Sequence, residues 1–102
     1  MHAHVLIADA DAATRHARAE QLVAAGFRVS LARTGFEAIV KATCQMPDLI
    51  LLDDSLDGLG APETGRLLTN CLVTAHIPVL EISHGRRVPR TVLIDLRRRV
   101  AI

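Results

Sequence analysis

The chain has 102 residues and a net charge of +1 at pH 7, enough for one domain around one core, residues 1–102, with no spare length for a second. Hydrophobic residues make up 50%, yet only Phe27 and Phe36 are aromatic, so the core is built from Leu, Ile, Val and Ala, which suits helices on a small parallel sheet. No run reaches the length of a membrane span, and Met1-His2-Ala3-His4 lacks the basic-then-apolar start of a secretory signal, so the default is a cytoplasmic protein with no membrane partner. Cys44 and Cys71 are isolated in helical patterns and read as reduced thiols, which argues against a disulfide scaffold or a thiolate metal site.

In chain order, His4-Val5-Leu6-Ile7-Ala8 is a short apolar strand that ends on Asp9-Ala10-Asp11. A helix is predicted from Ala12 to Ala25, with Leu22 and Val23 on its apolar side and Arg15, Arg18, Glu20 and Gln21 toward solvent. Asp11 is placed to cap it and Gly26 to end it. Phe27-Arg28-Val29-Ser30-Leu31 alternates as a more exposed strand, and Thr34-Gly35-Phe36-Glu37 has capping-box spacing, which predicts a helix through Lys41 to about Gln45. Pro47 resets the chain into Leu49-Ile50-Leu51-Leu52-Asp53-Asp54, an unbroken apolar run suited to a strand covered on both faces. A loop with two glycines leads to Pro62, at the first turn of a helix to about Val73. Ile77–Ile82 is a fourth strand with proline near its start, ending on Ser83-His84-Gly85. Thr91–Ile94 has strand composition, but Val92, Leu93, Leu96 and Val100 fall at helical spacing, and the helix is the reading adopted.

Charge is uneven along the chain: Arg86, Arg87, Arg90, Arg97, Arg98 and Arg99 face only Asp95 after residue 85. A basic tail can touch nucleic acid, but no aromatic stacking residue accompanies this one, so a solvated helix face accounts for it and no nucleic-acid partner is expected.

These elements make a doubly wound α/β sheet. Carboxyl ends of its strands are where ligands bind, which makes Asp53 the first functional candidate and Asp54 the second. Strands one and three are neighbours in such a sheet, so Asp9 and Asp53 converge, with Ser83 arriving from strand four. Two close carboxylates repel unless a cation lies between them, and oxygen-rich acidic sites suit magnesium. An ionised aspartate beside a metal ion is equipped to accept a phosphoryl group.

The segments Val5–Asp9, Gly26–Val29, Thr34–Ala38, Pro47–Asp53 and Ile77–Ser83 together resemble the receiver domain of two-component response regulators, over residues 4 to about 84. The resemblance implies a flavodoxin-like sheet of order 2-1-3-4. It implies Asp53 as phosphoacceptor, Asp9, Asp53 and the backbone of Ser55 as metal ligands with Asp11 as a possible addition, and Ser83 as the hydroxyl that senses the phosphoryl group. Departures are specific. Ala10 stands where the family keeps its second acid, so magnesium binding is expected to be weak, and Asp57-Gly58 replaces the usual Pro-Gly. Val88-Pro89 stands where Lys-Pro is expected, and the one lysine, Lys41, lies in the second helix and cannot substitute. A fourth helix and fifth strand are missing, leaving residues 85–102 as an atypical basic loop and helix.

Loss of the lysine removes a cation that stabilises transferred phosphoryl charge, with Arg86, Arg87 or Arg90 as candidates to replace it. An uncovered fourth strand is a template for pairing, so a homodimer through that edge or the exposed carboxyl-terminal face is expected. The first functional reading is a stand-alone receiver, not an enzyme, that takes phosphate on Asp53 from a histidine kinase or phosphotransfer protein and signals by binding a partner. The alternative is a pseudo-receiver that oligomerises or docks without phosphorylation. A remote third reading takes Asp9-Ala10-Asp11 as a phosphatase-like pair, with Asp9 as nucleophile and Asp11 as general acid. His84 and His76 read as exposed loop histidines.

Overall fold

A computed structural model describes residues 2–100 of the chain. The elements run β1 (His4–Ala8), α1 (Ala12–Ala24), β2 (Arg28–Ala32), α2 (Gly35–Gln45), β3 (Leu49–Asp53), α3 (Ala61–Asn70), β4 (Val79–Ile82) and α4 (Arg90–Val100). All strands pair in parallel, in the order β2-β1-β3-β4. This is the doubly wound, flavodoxin-like α/β sheet expected. Ends differ by a few residues: Ile77 and Pro78 precede β4, although the Pro78 carbonyl accepts the Ile50 N–H at 3.0 Å. Residues 91–94 are helical, and Ala101 and Ile102, included in the helix read from the sequence, lie outside the described residues.

The apolar runs at positions 5–8 and 49–52 form the two central strands, each buried along its length. Strand alternation divides their side chains between two cores. Val5, Ile7, Leu49 and Leu51 meet Leu22 of α1 and Leu93 and Leu96 of α4 on one face. On the other, Leu6, Ala8, Ile50 and Leu52 meet Ala38 and Ala42 of α2 and Leu68 of α3. The small residues let α2 approach closely. A Cβ added to Gly35 would lie 2.6 Å from the Leu59 carbonyl, so only glycine fits where α2 starts beside the β3–α3 loop.

Local chemistry fixes the boundaries. The Asp11 carboxylate accepts the Ala13 N–H at 3.0 Å as the N-cap of α1, and the Thr34 hydroxyl accepts the Glu37 N–H at 3.0 Å at the start of α2. Gly26, at φ 94°, turns the chain out of α1 through the left-handed region. At this same turn, the guanidinium of Arg97 lies 5.4 Å from the centre of the Phe27 ring and donates to the Ala25 carbonyl, tying α4 to the end of α1. Part of the basic tail is therefore structural. Among the described residues no helix is long and apolar enough to cross a membrane.

Candidate functional site

The carboxyl ends of β1 and β3 bring Asp9 and Asp53 together, both fully buried. Between them lies Arg18 of α1, a residue that the sequence pattern places toward solvent. It is 2% exposed. Its Nη1 donates to Asp9 Oδ2 at 3.3 Å and to Asp53 Oδ2, its Nη2 to the Ser83 carbonyl at 2.9 Å, and its Nε to the Arg86 carbonyl at 3.0 Å. Arg18 stands one turn before Leu22, on the face of α1 that covers the sheet, while Val23 is 59% exposed. The face of α1 is thus rotated from the one expected, because the two buried carboxylates need a cation and helical spacing lets Arg18 share the inward stripe with Leu22.

The other carboxylate oxygens are also occupied. Asp9 Oδ1 accepts the Asp11 N–H at 2.9 Å and the Ser55 hydroxyl at 3.1 Å. Asp53 Oδ1 accepts the Ser55 N–H at 2.7 Å and faces His84 Nδ1 at 3.2 Å. Burial works to raise the Asp53 carboxyl, but the hydrogen bonds of Ser55 and Arg18 and the charge of Arg18 together hold it below its ordinary value. His84 is a bridging residue: its Nε2 lies 3.2 Å from Asp11 Oδ2, and its N–H donates to Asp54 Oδ1 at 2.9 Å. The hydrogen bond to Asp53, followed by the charges of Asp53, Asp11 and Asp9, raises the imidazole above its ordinary value against the opposing effect of burial. Lying next to Ser83 at the end of β4 was its one sequence signal.

The remaining candidates take other places. Ser83 is exposed and engages the site through its carbonyl. Asp11 caps α1, and the Ala13 N–H and Thr14 hydroxyl lower its carboxyl, which makes it a poor general acid for the phosphatase-like reading. Ala10 is exposed, and Val88 is 2% exposed in the core with Leu22 and Leu93. Lys41 bonds to the Leu31 carbonyl and to Glu37, and Arg86, Arg87 and Arg90 are exposed. The internal cation comes from α1, not from the basic loop. That loop is itself pinned to α1, because the Gln21 side chain donates to the Val88 carbonyl at 2.9 Å and accepts the Val88 N–H at 3.1 Å.

Asp9, Asp53 and His84 offer ligand atoms all within 4.8 Å of one another, a group able to hold a metal ion. Magnesium, however, seeks octahedral oxygen ligands and keeps several waters. Here the side of the carboxylates facing each other is taken by a guanidinium, and the third donor is an imidazole nitrogen. The residues present fit Arg18 better than a magnesium ion.

No family model and no curated protein matches the sequence. Solved structures do match. The chemotaxis response regulator CheY4 of Vibrio cholerae aligns with a TM-score of 0.80 at 21% identity, over 96% of this chain and 98% of that one. The receiver fold is the one this chain has. The receiver domain of a sensor histidine kinase from Pseudomonas aeruginosa, solved with magnesium coordinated in its active-site cleft, aligns with a TM-score of 0.80 at 18% identity over 96% and 97% of the two chains. The N-terminal domain of a response regulator receiver protein from Methanoculleus marisnigri gives 0.77 at 19% identity over 97% of each. Relative to the receiver pattern set out above, the chain is shortened: the described residues form four strands, with a loop alone between β4 and α4.

Proposed function

We propose that the chain is a docking module of two-component signalling, a receiver fold that binds its partner without phosphoryl transfer. One observation carries this reading: Arg18, buried between Asp9 and Asp53, neutralises the pair from within the chain. Phosphoryl transfer depends on positioning and on charge neutralisation by mobile or metal cations around the attacking oxygen. Asp53 Oδ2 is bonded to Arg18 and Oδ1 to Ser55, so the carboxylate is held by internal donors, and an attack by either oxygen has to weaken bonds that the fold already makes. The test is incubation of the full chain with acetyl phosphate and magnesium, read by intact mass. The expected result is no phosphoryl gain. One equivalent gained by the native chain and absent from Asp53→Ala would overturn the reading.

The second reading, phosphoryl acceptance on Asp53 from a histidine kinase or phosphotransfer protein, draws on the place of Asp53 at the end of β3 in the crevice of a doubly wound sheet. It requires Arg18 to leave first. Arg18→Ala then becomes phosphorylated in the same assay faster than the native chain.

A further inference from the structure

The pairing of β3 with β4 decides which backbone groups of β4 are available. The carbonyls of Pro78 and Ile82 accept the N–H groups of Ile50 and Asp54, each at 3.0 Å. In a parallel ladder successive residues bond to alternate sides, so Val79 and Glu81 direct their N–H and C=O away from β3. Among the described residues β4 is the last strand on that side. A groove of about 660 Å³ is lined by Leu80, Glu81 and Ile82 of this strand together with Arg86, Arg87 and Arg90 of the segment that follows it.

We propose that this edge is a docking site for an acidic, extended segment of a partner protein, which adds to β4 as a fifth strand. Main-chain bonds to Val79 and Glu81 supply affinity, and the three arginines of the groove select the charge of the segment. A second copy of this chain is the poorer occupant. Joining two β4 edges brings two sets of three arginines to one interface, against one Glu81 from each copy, and like charges across an interface disfavour it. The proposal names a partner chemistry for the docking role above, but it rests on residues away from Asp53, so the two succeed or fail separately.

The test titrates the full chain with a labelled octapeptide of alternating Val and Glu at low salt, followed by fluorescence anisotropy and by amide hydrogen exchange. Saturable binding is expected, with new exchange protection at Val79 and Glu81. N-methylation of alternate backbone nitrogens in the same peptide abolishes binding, a control that leaves the protein untouched. The exposed double substitution Arg87→Glu with Arg90→Glu weakens binding on the order of tenfold or more, and a Val–Lys peptide does not bind. Four results overturn the proposal: no binding of the Val–Glu peptide, equal binding of the Val–Lys peptide, binding indifferent to N-methylation, or a dimer in sedimentation that is lost in Glu81→Pro and resists the peptide. None of them bears on whether Asp53 accepts a phosphoryl group.

Discussion

At the ends of β1 and β3, each carboxylate oxygen of Asp9 and Asp53 faces a hydrogen-bond partner, and the charges are balanced by Arg18 inside the same chain. Along the outer side of β4, the backbone groups of Val79 and Glu81 have no neighbouring strand among the described residues, and three arginines line the same groove as β4. The crevice is closed by its own residues and the edge is left open. In a small domain the regions whose polar groups are satisfied internally resist further chemistry, while an unpaired edge keeps free energy available for association.

Removing the internal cation breaks this contrast most severely. Arg18→Ala leaves two buried carboxylates without their counter-charge, which costs roughly 3–5 kcal/mol and lowers the thermal midpoint by roughly 15 °C or more. Adding Asp9→Asn and Asp53→Asn to it recovers part of the loss, because the uncompensated charges are gone. A single Arg18→Ala variant as stable as the native chain would show that the crevice is not held by this residue.

Gln21→Ala has a smaller effect. It strands the Val88 N–H and C=O, which costs about 1–3 kcal/mol, seen as a lower urea midpoint and faster proteolysis within residues 83–89.

Titration sharpens the crevice further. The Asp53 carboxyl is depressed in the folded chain, so its contribution is present above its ordinary value of 3.8 and is lost as pH falls through the depressed one. Asp53→Asn therefore flattens the acid limb of the stability profile. His84 behaves oppositely: its value is raised, so its contribution is full below 6.5 and is lost as pH rises through the raised value. The urea midpoint of the native chain falls slightly across that range, and His84→Gln removes the slope.

Arg87→Glu, in the loop that lines the groove with β4, changes stability by less than about 0.5 kcal/mol. If it matched Gln21→Ala instead, the edge would be a structural element of the monomer and the contrast would disappear.

Much of the frame was readable in the residues. Unbroken apolar runs at 5–8 and 49–52 specify strands buried on both faces, and Asp11, Gly26, Thr34 and Pro47 mark helix ends through backbone chemistry that acts locally. That Asp9 and Asp53 meet follows from strand order alone. The partner of that pair was not legible, because a lone arginine on an amphipathic helix is usually solvated, and only the tertiary position of α1 turns Arg18 inward. Two close carboxylates call for a cation, but the sources visible in the sequence are a metal ion and Arg86, Arg87 and Arg90. His84 was hidden for a similar reason: a loop histidine acquires partners only once the 83–88 segment is fastened to α1 by Arg18 and Gln21.

Val88 carries a longer consequence. Its side chain is a wall of the core and its backbone is clasped by Gln21. A lysine at that position would thrust an ammonium among Leu22, Leu93 and Leu96, at a cost of several kcal/mol, before it could meet any phosphoryl group. Val88→Lys is therefore expected to give an aggregating chain, read as loss of the soluble fraction and of a cooperative urea transition. The 83–89 segment is thus closed to charged substitution at Val88, while the exposed arginines of the groove along β4 are open to it.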